Sequence, residues 1–208
     1  MATSARRQQI RSVETRERLI LATLDEIHER GYHAATTQDI AARARVSRGA
    51  LLHHFPSRAA LVLAAMERLL ADGIAEIRTV AGQVANDSMT IEEFVEFAWG
   101  MFSGRFFYLS LEMIAEARND ASLREQMIPV VKRFHDELDI AWVGLCASSA
   151  RSAREASIIL NLTLCLMRGM GVQAVLRPEP DYYRQLVEVW KRTLPLLLAG
   201  RLDASFFS

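Results

Sequence analysis

The residues between Thr36 and Phe55, TTQDIAARARVSRGALLHHF, hold most of the side chains whose types and spacing could do chemistry. Arg43, Arg45 and Arg48 carry permanent planar cations whose N–H forks match phosphate and guanine. Thr36, Thr37, Gln38 and Ser47 add neutral hydrogen-bonding groups, and His53 and His54 add two imidazoles. Such a set suits a polyanion better than a reaction. Adjacent residues point about 100° apart on a helix, so His53 and His54 are poor chelating partners. The chain has no Glu-x-x-His pair, phosphate-binding glycine loop, zinc-spaced Cys/His cluster or nucleophile elbow. A helical-bundle enzyme is therefore a remote alternative, and no catalytic residue, metal or cofactor is expected.

The elements that must position these side chains are short helices. Ile40, Ala41, Ala44, Val46, Leu51 and Phe55 have the spacing at which two helices, Thr37–Ala44 and about Arg48–Phe55, pack across a tight turn. Ala41 is small where the helices cross, and Ser47 can cap the second one. Arg48, Gly49, Leu52 and His53 are left on the outer side, which a helix-turn-helix lays in the DNA major groove. Thr37, Gln38 and Arg43 are placed to touch the DNA backbone. Ahead of them, Glu14–Arg30 reads as an amphipathic helix stopped at Gly31, and Met1–Val13 as a mobile basic arm. Ser57 opens a longer helix reaching about Val80.

The longer run GYHAATTQDIAARARVSRGALLHHFPSRAALVLAAME resembles the DNA-binding domain of the TetR family of transcriptional repressors. The likeness covers about Glu14 to Glu67: the glycine after the first helix, the Thr-Thr start, the Ile-Ala pair, the Val-Ser turn, the Phe of HHF, and Ser57 with Arg58. It implies a DNA-binding set of Thr36, Thr37, Gln38, Arg43, Arg45, Ser47, Arg48, Gly49, Leu52, His53, His54 and Arg58. Two positions depart from the family pattern. Arg45 stands where Gly is usual, because the turn wants a left-handed backbone. Either Arg45 accepts about 1–2 kcal/mol of strain to bring a cation near phosphate, which we prefer, or the turn changes shape. Leu52 stands where Tyr commonly reaches a phosphate, so His53, Arg45 or Arg58 must compensate. The competing reading of the whole region is a solvated three-helix unit with no DNA role.

Charge supports the first reading. The net charge is zero, yet residues 1–60 hold ten Arg against six carboxylates and the remainder is acidic to the same extent. Cys146 and Cys165 are too few for a disulfide scaffold and read as core thiols in a reducing cytoplasm. No signal peptide is seen at the N-terminus. The most apolar run, Ala156–Met167, falls short of the roughly 18 apolar residues of a membrane span, so no membrane partner is expected.

The rest of the chain reads as helices, giving an all-α fold of about nine. Domains are set at 1–60 for the arm and DNA-binding head, and 61–208 for effector binding and dimerisation. After a polar connector, Gly82–Met89, Thr90 opens a helix as a capping box. That helix bends around Gly100 and Gly104 and reaches about Arg118. Roughly Ser122–Ala147 follows, with Pro129 inside, then Ala153–Leu176 and Asp181–Leu198. The last two helices are apolar nearly all round and need burial on two sides, which favours a homodimer built through them. Trp99, Phe102, Phe106, Met113, Trp142, Met167 and Met170 form an adaptable apolar set for a ligand pocket, with plain core as the competing reading. Glu112 and Glu116 share a helix face. Facing the pocket they would favour a cationic effector; facing outward, the preferred reading, they are solvated charges paired with Arg105 or Arg118. The resemblance further implies a dimeric repressor on a palindromic double-stranded DNA operator, released by an apolar or amphipathic small molecule. A ligand-independent or activating regulator of the same fold is the alternative.

Overall fold

In the computed structural model the described residues are 2–86, 88–146 and 151–201, and among them nine helices and no strand occur. They are α1 (Ala2–Arg30), α2 (Thr37–Arg43), α3 (Arg48–His54), α4 (Arg58–Ala85), α5 (Ile91–Phe102), α6 (Arg105–Asn119), α7 (Ala121–Leu145), α8 (Ala153–Leu176) and α9 (Pro180–Leu198). Most boundaries follow local chemistry read above. Ser57 caps α4, its Oγ accepting the Ala60 N–H at 3.1 Å. Thr90 and Glu93 exchange hydrogen bonds as a capping box at α5. Ser152 and Glu155 form a second capping box at α8.

Three expectations are corrected. The supposed arm is helical from Ala2, so Arg6, Arg7 and Arg11 ride on the first turns of α1. Helix α4 continues to Ala85 and absorbs the first half of the supposed connector; Asp87 lies outside the described residues. The bent helix is two helices. At its break, Ser103 turns both its N–H and its Oγ back to the Trp99 carbonyl, each at 2.8 Å. A Cβ on Gly104 would sit 2.8 Å from the Gly100 oxygen, so only glycine fits that corner. Pro129 is accommodated within α7, and the expected end at Ala147 lies outside the described residues.

The chain forms two compact units, Met1–Ala71 with Tyr108–Val131, and Asp72–Phe107 with Lys132–Ser208. The core of the first gathers Leu19, Ile20 and Ala22 of α1, Ile40 and Ala41 of α2, Leu51 of α3, and Leu61 and Ala64 of α4. Burying a side chain of this size stabilises by roughly 1.5–3 kcal/mol, so this small cluster fixes α2 and α3 on α1. In the second unit, α5, α8 and α9 pack together around Val95, Phe102, Leu160, Met167, Val187 and Leu194. Trp142 of α7 donates its indole N–H to the Ala156 carbonyl at 2.7 Å.

Helix α8 differs from the sequence expectation in one respect: by length and composition it could cross a membrane. Eight of its residues are buried in this bundle. Its other face exposes Ile158, Leu162, Cys165, Val172 and Leu176, each three, four or seven residues after the last and so on one side of the helix.

Candidate nucleic-acid interface

The turn between α2 and α3 sets the geometry of the head. Thr36 caps α2, its Oγ1 accepting the Asp39 N–H at 3.2 Å and donating to Asp39 Oδ2 at 2.6 Å. Helix α2 ends in a double closure: the Arg45 N–H bonds the Ala42 carbonyl and the Val46 N–H bonds the Ala41 carbonyl, both at 3.0 Å. That closure needs a left-handed residue between them, and Arg45 supplies it with φ 56°. The Arg45 side chain is exposed and its backbone is strained. Val46 returns to the core beside Ala41, and Ser47 starts α3 by accepting the Ala50 N–H at 3.1 Å.

Helix α3 buries Leu51, with Phe55 buried just beyond its end, and leaves Arg48, Gly49, Leu52 and His53 exposed on one side. Leu52 is 50 % exposed, a large apolar group with no protein surface to cover it. Gly49 opens space beside Ser47, since a Cβ there would meet nothing closer than the Ser47 Oγ at 3.9 Å. Thr36 and Gln38 of the α2 start are exposed too, and Thr37 is half-buried. His54 is turned partly inward. Burial, helped by the charges of His53 and Arg16, holds its imidazole below the usual range.

Two cations expected at the DNA backbone have partners within the protein. Arg43 donates its Nε to Glu26 at 2.6 Å and its Nη1 to Glu29 at 2.8 Å, tying α2 to α1. Arg58 lies 4.0 Å from the Tyr32 ring centre and donates to the carbonyls of Tyr32 and Ala35. Both hold the head together. Beside Arg43 and Arg45, a cavity of about 400 Å³ is lined by Arg18, Leu21, Ala22, Asp25 and Ala44.

The sequence profile of "Bacterial regulatory proteins, tetR family" matches residues 19–65, the span of this head. Along most of its length the chain is 30 % identical to the HTH-type transcriptional regulator CymR of Pseudomonas putida, covering 89 % of this chain and 92 % of that one. The chain belongs to the TetR family. Solved structures agree on the fold. A TetR-family regulator from Mesorhizobium loti matches with a TM-score of 0.72 at 15 % identity, over 91 % of this chain and 98 % of that one. FadR from Bacillus subtilis, in complex with stearoyl-CoA, matches with a TM-score of 0.60 at 17 % identity, over 88 % and 98 %. The chain is thus a transcriptional regulator of a family whose members are typically ligand-responsive repressors.

In this TetR-family chain the candidate ligand residues fall in both units. Glu112, Met113 and Glu116 belong to the unit that holds the head. Glu112 Oε2 accepts the Tyr32 N–H at 2.9 Å, and Glu116 pairs with His33 Nε2 at 3.2 Å. Both carboxylates thus clasp the turn after α1, which corrects their expected pairing with Arg105 or Arg118. The aromatic candidates lie in the second unit and largely satisfy one another. Trp99 stacks on Tyr183 at 5.7 Å, Phe102 meets Phe107 at 5.7 Å, and Phe106 stacks on Phe134 at 5.9 Å. Trp142, Met167 and Met170 are core. A cavity of about 290 Å³ is lined by Glu76, Phe97, Gly100, Met101, Arg105 and Phe106. Sequence reasoning passed over Arg168 of α8 and His135 of α7. A single arginine in the apolar middle of a helix was the available signal.

Proposed function

We propose that this regulator is a repressor that binds a pseudo-palindromic operator as a homodimer and lets go when a small molecule enters the second unit. The exposed face of α3 carries this reading. Arg48 at a helix N-terminus, Gly49 beside it, and outward Leu52 and His53 form a surface for base edges, while Thr36, Thr37, Gln38, Ser47 and Arg45 flank it for phosphates. Leu52 would meet a thymine methyl rather than a phosphate. Arg43 and Arg58 act one step back, by holding α2 and the α1–α2 turn in place.

The exposed stripe of α8, with Val189 and Leu196 of α9, supports dimerisation through the last two helices. Ligand release draws support from the family and from the stearoyl-CoA held by the FadR structure. The division into a head up to residue 60 and an effector and dimer part beyond it follows the same reading. The protein works in the cytoplasm, on the nucleoid when bound, and catalyses nothing.

The test is selection of bound fragments from the source genome, with the native chain and with Arg48→Ala/His53→Ala. The native protein enriches sites with an inverted repeat. The double variant keeps its helical circular dichroism and enriches none. Normal enrichment by the variant contradicts the assignment of α3. Loss of the protein should raise expression of genes beside the enriched sites; a fall would make it an activator.

A further inference from the structure

Arg168 stands between buried Met167 and Met170 in α8. Gly171, almost one turn on, permits unusual closeness: a Cβ there would strike the carbonyl oxygen of Phe102 and the ring of Phe107. That approach lays α8 on the end of α5 and sets the Arg168 guanidinium 5.6 Å from the Phe102 ring centre. The ring face answers part of the charge but accepts none of its five N–H groups. Burial pushes Arg168 below the ordinary arginine range, and only the Cys165 thiol pulls the other way. Among the described residues, neither a carboxylate nor a hydrogen-bond acceptor adds to those influences. Elsewhere arginines that reach into the fold are answered, Arg43 by Glu26 and Glu29, Arg58 by two carbonyls.

His135 of α7 lies within reach of the same charge. Burial holds its imidazole below the usual range, Arg168 pushes it further, and Asp139 and Asp136 oppose. Asp139 already accepts the Ser157 hydroxyl at 2.6 Å. The cluster is thus a fixed cation and a neutral imidazole against aromatic rings, without a counter-ion. A charge drawn half out of water with no partner is costly, and pairing with a ligand would offset that cost.

We propose that Arg168 recognises the anionic end of the effector: a small organic acid whose carboxylate takes the guanidinium fork, with His135 as second donor and Phe102 and Phe107 against its apolar body. One cation beside a neutral imidazole fits a monoanion better than a phosphate dianion. This assignment rests on the effector reading above.

Calorimetric titration of the full chain with matched pairs, naphthoate against naphthamide and octanoate against octanamide, tests it. At least one acid should bind about tenfold more tightly than its amide. Arg168→Met should erase that preference, and Arg168→Lys should keep part of it. Equal binding of acid and amide, a preference that survives Arg168→Met, or no binding by any acid overturns the assignment. A second measurement separates a structural role. Without ligand, Arg168→Met should melt at or above the native temperature; a marked fall would make the guanidinium a packing element and sink the proposal. Release of operator by the amides as readily as by the acids would leave the effector reading standing without this one. Acid binding that depends on Arg168 but never releases operator would overturn the effector reading, and Arg168 would then hold a carboxylate without that role.

Discussion

At the scale of residues, Arg45 shows how this head spends stability. It occupies the left-handed position at φ 56° that closes α2, where glycine would be unstrained. Arg45→Gly should therefore raise stability by about 1 kcal/mol, or about 2–4 °C in melting temperature. Operator affinity should fall and its salt dependence become shallower by about one unit, the mark of one lost phosphate contact. Denaturant melts and salt titrations of binding check the two halves separately. Unchanged stability would contradict strain at Arg45, and unchanged salt slope would contradict its phosphate role. His54 and His135 make a second residue-scale prediction. Burial depresses both, so each binds its proton more weakly in the folded chain than in the unfolded chain. Their contribution is present above the ordinary His range, near pH 6.5, and is lost as pH falls below it. Stability measured against pH should drop there, and His135→Gln should flatten part of the drop.

At the scale of elements, the sequence was most legible where one helix end or one face decides the outcome. Ser47, Ser57 and Thr90 each cap the helix they were expected to cap. The α2–α3 pair packs through Ile40, Ala41 and Leu51, as their spacing required. What could not be read were contacts between distant segments. Arg43 looked like a free cation because Glu26 and Glu29 lie a helix away, 17 and 14 residues earlier. Glu112 looked solvated because its partner, the Tyr32 amide, is 80 residues away. The division of α5 from α6 was hidden because glycines at 100 and 104 fit a bend as well as a break. The α6 clasp carries its own prediction. Glu112→Ala should cost about 1 kcal/mol by stranding the Tyr32 N–H. It should also speed hydrogen exchange at that amide while leaving exchange in α8 and α9 unchanged. Uniform acceleration along the chain would mean the bond has no local role.

At the scale of the whole molecule, symmetry governs the proposed dimer. The apolar stripe of α8 is left uncovered by its own bundle, and a second copy covers it in the proposed dimer. Leu162→Glu should split the dimer, seen as a halved mass in sedimentation, while the helical content stays. Cys165 reports the same event. It is exposed on the stripe, whereas Cys146 is buried with its thiol pushed up to about 11. Alkylation should reach Cys165 slowly in the dimer and quickly in the Leu162→Glu chain, sparing Cys146 in both. Equal rates at Cys165 would place the interface elsewhere. In the proposed dimer two copies of α3 meet DNA. The most direct measurement is methylation protection of guanine N7 and adenine N3, which report the major and minor grooves, on a selected operator. Two protected clusters in the major groove, about 34–36 Å apart on one face and lost with Arg48→Ala, are the predicted result. Protection confined to the minor groove, or a single cluster indifferent to Arg48, would contradict the account.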